Sequence, residues 1–205
     1  MHYYFFFQPI YNFIFAVKET AKVALNVDKS NFFPIVGINA VNNSESFHLG
    51  LVAVTASGVR LYFSTTDNNT ANLRPNGLNL VHVRLPPGFA ASSPAGRPSK
   101  VHMSYYKNGT LLLASAQNES ADLLWLLSGD LFPFQNMLME GQSLLTVDGR
   151  VWALEELPHK GKLSKLYSDS FGSTNAPSVV IQHAQPARTF VMISAQGTHI
   201  VSKLR

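Results

Sequence analysis

Apolar and polar positions are patterned most clearly from Leu49 to Ser64, LGLVAVTASGVRLYFS, where two strand-like runs flank a short turn. Leu51, Val52, Ala53, Val54 and Thr55 are apolar or β-branched in succession. Ala56-Ser57-Gly58 is a tight-turn tripeptide, and beyond it Val59, Leu61 and Phe63 alternate with Arg60, Tyr62 and Ser64. The pattern predicts a β-hairpin. Its first strand, apolar on both faces, belongs inside a sheet, and its second is expected to turn Arg60 toward water.

The same signals recur along the chain. Phe33 to Ile38 predicts a strand with Pro34 confined to its start, because proline cannot donate to a ladder. Thr65 to Asn79 reads as loop. Leu80 to Leu85 reads as a strand with Leu80, His82 and Arg84 opposite Val81, Val83 and Leu85. Pro86 to Ser99, PPGFAASSPAGRPS, is too rich in proline for regular structure. Val101 to Lys107 and Thr110 to Ala116 flank Asn108-Gly109, the strongest two-residue hairpin signal. Leu123 to Leu127 adds a further strand, Phe132-Pro133-Phe134 caps the unit, and Val151 to Leu157 is a candidate strand. Val179 to Gln182, Thr189 to Ser194 and Thr198 to Leu204 close the series, with Ala195-Gln196-Gly197 standing where Ala56-Ser57-Gly58 stood. Three such hairpin units suggest radially repeated four-stranded blades, an all-β, incomplete β-propeller fragment. Leu51, Val52, Val54, Leu61, Leu111, Leu113, Trp125, Leu127, Phe190, Met192 and Ile193 are the expected core, and both Trp125 and Trp152 read as core anchors.

Composition narrows the class. With 205 residues and 46% hydrophobic content, the chain can bury a sizeable core and is not a disordered protein. Lys plus Arg number 16 against 12 Asp plus Glu, but the cations are scattered singly and form no stripe, so no specific nucleic-acid partner follows. There is no cysteine, hence no disulfide and no thiolate metal site. The aromatic opening, MHYYFFFQPIYNFIFAV, has no cation ahead of its apolar run and is interrupted by Gln8, Pro9 and Asn12, which speaks against a signal peptide.

No catalytic constellation stands out. The chain has no Gly-x-Ser-x-Gly elbow, P-loop, His-Glu-x-x-His or Gly-x-Gly-x-x-Gly. His82 and His102 fall on predicted strands as solvent-facing or satisfied residues. Glu155-Glu156, the adjacent acidic pair, would point to opposite faces of a strand. The expectation is a protein that is not an enzyme, with no cofactor, metal or small-molecule substrate.

Phe33-Pro34-Ile35-Val36, LVAVTASGVRLYFST, LVHVRLPPGFAASS, RPSKVH, LFPFQ, VDGRVWAL and FVMISAQG occur in this order. Together they resemble the N-terminal propeller of the nucleoporin-155 family, from about Phe33 to Arg205. Residues 1–32 do not carry the resemblance and are set apart as a divergent aromatic segment, with 33–205 as a partial propeller. The resemblance implies about three blades of a seven-bladed propeller from a scaffold subunit of the nuclear pore's inner ring. It also implies residence at the nuclear envelope and a part in mRNA and protein transport. Other inner-ring nucleoporins, a transmembrane nucleoporin and the nuclear envelope membrane surface are the implied partners.

For a membrane contact, the candidate is the loop after Leu80 to Leu85, comprising Arg84, Leu85, Phe89, Arg97 and Lys100. Phe89 is the bulky residue among small ones, and the flanking cations would favour anionic lipid. The competing reading is a secreted or membrane-anchored β-rich binding protein without catalysis, motivated by the aromatic start and by sequons at Asn42, Asn68, Asn108 and Asn118.

Overall fold

The computed structural model describes residues 34–43, 45–66, 77–89, 98, 100–129, 140–158 and 187–203. Among them the chain forms eleven strands and no helix, and neighbouring strands pair antiparallel. The N-terminal aromatic segment, Phe132-Pro133-Phe134 and the strand expected at Val179 to Gln182 lie outside the described residues.

Two compact units divide the chain between Arg150 and Val151. In the first, β1 (Ile35–Ala40), β2 (Leu51–Thr55), β3 (Arg60–Thr66) and β4 (Gly77–Arg84) form one up-and-down sheet in chain order. A second sheet of the same kind is built from β5 (Val101–Lys107), β6 (Thr110–Ala116), β7 (Ala121–Gly129) and β8 (Glu140–Asp148). The second unit holds β9 (Val151–Glu156), β10 (Arg188–Ser194) and β11 (Gly197–Lys203), with β10 in the middle.

Local chemistry explains the turns. Asn108 and Gly109 both have positive φ, 47° and 68°, the requirement of a type I′ hairpin whose twist matches its strands. Gly58 adopts φ 79°, and a Cβ there would sit 2.9 Å from Pro98 Cγ, so no other residue fits that turn without strain.

The two sheets of the first unit share one apolar core. Val52, Val54 and Tyr62 from one meet Val101, Tyr106, Leu111, Leu113, Trp125 and Leu127 from the other. Backbone hydrogen bonds join the sheets as well, since Val101 N–H donates to Ala56 O at 2.8 Å. On the opposite face of the first sheet, Ala53, Val59, Leu61 and Phe63 form a second cluster, against which Leu78, Leu80, Val83, Leu85 and Phe89 pack.

Several expectations need correction. Arg60 does not meet water: it is 1% exposed, and Tyr62 beside it is buried too, so β3 is enclosed on both faces. Strict alternation along β4 also fails. Tyr62 pairs with His82 and Phe63 with Leu80, which leaves Val81 as an inserted residue. That bulge inverts the parity, so that Leu78 and Leu80 fall on the same face as Val83 and Leu85, while Val81 is expelled to solvent. Gly77, Leu78 and Asn79, read as loop, belong to β4.

Leu51 is only half-buried, at the end of its strand, and Ile193 is 45% exposed on the outer face of β10. Trp152 is no core anchor. Val151 pairs with Ser194 and Ala153 with Ile193, so Trp152 is the inserted residue of a bulge and stands 63% exposed. Strand β8 has no signal in the sequence, because most of its residues are exposed on both faces and show no period of two.

Candidate functional site

Within the first unit, charged and polar side chains sit where the two sheets meet. Arg60 projects from β3 and donates through Nη1 and Nη2 to Glu140, the first residue of β8, and through Nη2 to Leu85 O at 2.9 Å. Arg84 lies beside the same carboxylate, Nε to Oε2 3.6 Å. In the loop between β1 and β2, buried Glu45 accepts from the Tyr106 hydroxyl and from Gly109 N–H at 2.9 Å, so the loop is fastened to the β5–β6 hairpin. Burial first, and then the hydrogen bond to Glu45, push the Tyr106 phenol above its usual range.

A second polar cluster gathers on fully buried Asp122 of β7. His102 Nε2 lies 2.8 Å from its Oδ2, and Arg150 Nη1 donates to its Oδ1 at 3.1 Å. Arg150 also donates to Asn118 O at 3.0 Å, which closes the β6–β7 turn. His102 is therefore a satisfied histidine, as the sequence indicated. In the second unit Arg188 donates to both oxygens of Glu156, at 2.6 and 3.0 Å, and stacks 5.3 Å over the Phe190 ring.

His82 carries a pH dependence. Its ring lies 5.8 Å from that of Tyr62, and its pKa is held below the ordinary histidine value, by burial first and then by Arg84 and Arg60. Folding therefore favours the neutral ring. The stabilisation is complete above about pH 6.5 and is lost as the pH falls below it through the depressed folded value. Denaturant titrations at pH 7.5 and 5.0 should show stability falling with acid, and His82→Gln should flatten that fall. An unchanged profile in the variant would remove His82 as a cause.

The residues of the membrane-contact candidate are not arranged alike. Arg84 is engaged with Glu140, Leu85 is half-buried, and Phe89 packs part of its ring on the Ala53, Val59, Leu61 and Phe63 cluster. Lys100 is exposed with φ 52°, and Arg97 lies outside the described residues. Phe47, which no pattern in the sequence singles out, is 89% exposed. It sits beside buried Ser46, whose Oγ accepts from His48 and Leu49 N–H at 3.2 Å. One residue further back, Glu45 is anchored as described.

No group of three His, Asp or Glu that could hold a metal ion occurs among the described residues. Ser194 Oγ and His199 Nε2 are 2.8 Å apart, but the hydroxyl is 2% exposed and accepts Gln196 N–H, a contact that braces the β10–β11 turn.

Residues 10–200 match the Nucleoporin_N family, described as Nup133 N terminal like. The chain belongs to this nucleoporin family. The match takes in residues 10–32 as well. This nucleoporin chain is 31% identical over 216 residues to the nuclear pore complex protein Nup154 of Drosophila melanogaster. That alignment covers 91% of the chain and only 15% of the relative. Among solved structures it resembles the Nup170 N-terminal domain in the crystal structure of a Chaetomium thermophilum Nup170 NTD–Nup53 complex. The TM-score is 0.59 at 19% identity, over 85% of this chain and 28% of that one. At that identity the likeness speaks for the fold alone, the all-β fold of a nucleoporin N-terminal domain.

Proposed function

We propose that the chain is a non-enzymatic structural constituent of the nuclear pore's inner ring, contributing about three blades of a seven-bladed N-terminal propeller. The observation that carries this reading is the family match over residues 10–200, reinforced by the 31% identity to Nup154. Because the solved neighbour is a complex with Nup53, a nucleoporin of that kind is the first partner to test. These relationships favour the pore over a secreted binding protein. Tagged chain at native abundance should give a nuclear rim and recover inner-ring nucleoporins from nuclear envelope extract. Secreted protein that shifts in size on deglycosylation would overturn the reading.

The same reading assigns envelope contact to the loop after β4, through the exposed part of Phe89, with Arg84, Arg97 and Lys100 as the cations nearest to it in the sequence. Full burial of one such ring contributes about 1.5–3 kcal/mol, too little for an anchor unless many copies act together. Flotation on small, anionic, highly curved vesicles should be weaker for Phe89→Asp than for the parent. Equal flotation would take this loop out of the contact.

A further inference from the structure

Asn108-Gly109 makes the turn between β5 and β6, and asparagine before glycine is also the step at which a peptide chain most readily attacks itself. In that attack the Gly109 nitrogen closes on Asn108 Cγ, unhindered because glycine carries no side chain. Asn108 is exposed, with φ 47°, so water and base reach it. The other requirement is a free Gly109 amide, and there the fold intervenes. Gly109 N–H donates to Glu45 Oε1 at 2.9 Å, and Gly109 O accepts from Gly129 N–H at 3.1 Å.

The acceptor is a buried carboxylate that reaches the hairpin from 64 positions earlier in the chain and takes the Tyr106 hydroxyl on the same oxygen. To become a nucleophile, the Gly109 nitrogen has to lose the proton that it donates to Glu45, and the anion left behind would face that carboxylate. Like charges at this distance disfavour the ionised amide. With an ordinary pKa of about 4.3, a glutamate is also far too weak a base to keep the proton itself. Glu45 therefore guards the amide and does not activate it.

We propose that Asn108 is a deamidation site gated by Glu45: it reacts when the loop between β1 and β2 lifts off the β5–β6 hairpin, and its product keeps the loop off. The Gly109 nitrogen gives its proton to solvent base and bonds to Asn108 Cγ, the bond from Cγ to the side-chain nitrogen breaks, and that nitrogen leaves as ammonia. Water then opens the cyclic imide at either carbonyl carbon, leaving an aspartyl or isoaspartyl residue at position 108. The sum is amide plus water to carboxylate plus ammonium, with nothing oxidised or reduced. In the isoaspartyl product the main chain runs through Cβ, which lengthens a two-residue turn and breaks the Lys107↔Thr110 register. Both products add a negative charge next to Gly109, whose N–H holds Glu45. Loss of that hold frees the loop that carries exposed Phe47. The inference does not rest on the pore reading, since deamidation is measured on purified protein.

The test ages the purified full chain at mildly alkaline pH and follows Asn108 by peptide mass mapping, with Asn76-Gly77, the second Asn-Gly step of the sequence, as the reference for buffer and temperature. Glu45→Ala should deamidate at Asn108 about tenfold faster than the parent, the rate equivalent of losing one charge-assisted hydrogen bond, while Asn76 keeps its parent rate. Glu45→Gln, which preserves the shape of the side chain, should fall between the two and decides the matter if the alanine variant does not fold. The deamidated fraction, separated by its added negative charge, should exchange the His48 and Leu49 amides faster, because both are held by Ser46 Oγ in the same loop. An unchanged Asn108 rate in the Glu45 variants would overturn the proposal, and so would an acceleration shared equally by Asn76. Slower deamidation in the variants would make the carboxylate the base and overturn it as well, as would unaltered exchange in the deamidated fraction.

Discussion

Glu140→Ala is expected to destabilise the first unit by about 3–5 kcal/mol, because it strands a buried guanidinium without its counterion. Arg60 is 1% exposed, and after the substitution the acceptor left within the described contacts is Leu85 O at 2.9 Å. Its Nε is buried and already lacks a hydrogen-bond partner. Arg60→Met should cost less, because Glu140 is 14% exposed and keeps Arg84 nearby. The double variant Arg60→Met/Glu140→Leu should recover most of the loss, since a well-packed apolar pair commonly matches a buried ion pair. Against a usual domain stability of about 5–15 kcal/mol, a loss of this size is read directly from urea midpoints. If Glu140→Ala stays within about 1 kcal/mol of the parent, the buried pair is not what joins β3 to β8.

How far the sequence could be read depended on the range of the interactions. The turn at Asn108-Gly109 was legible because its chemistry is carried by two adjacent residues. Strands β2, β5, β6, β7 and β10 are legible because each carries apolar residues in succession or alternation, and β2 and β6 are buried at nearly every position. The fate of Arg60 was not, since its partner lies 80 residues away on a strand that shows no period. Bulges did further damage. A single inserted residue at Val81 or Trp152 moves every later side chain to the other face, and nothing in the local pattern marks the insertion. The loop candidate is obscured by the same short range: Phe89 stands alone in sequence but packs on the cluster of Ala53, Val59, Leu61 and Phe63 in space, while Phe47 follows buried Glu45 and Ser46 and is itself open.

The two tryptophans make that difference measurable. Trp125 is 4% exposed among Leu111, Leu113, Leu127, Val52 and Val54, and its Nε1 donates to Ser115 Oγ at 3.0 Å. Trp125→Ala is therefore expected to cost about 3–5 kcal/mol, chiefly from the cavity left between the two sheets of the first unit. The Ser115 hydroxyl adds little to that cost, because it retains Leu123 O at 3.4 Å as an acceptor. Trp152→Ala removes a ring that is 63% exposed and should change stability by no more than about 0.5 kcal/mol. Since the chain has 2 tryptophans, Trp152→Phe isolates the emission of Trp125 and Trp125→Phe that of Trp152. Trp125 should emit at short wavelength and resist iodide, whereas Trp152 should emit at long wavelength and be quenched. Similar quenching of both would contradict the bulge in β9 that turns Trp152 outward, and a stability loss in Trp152→Ala matching that of Trp125→Ala would do the same.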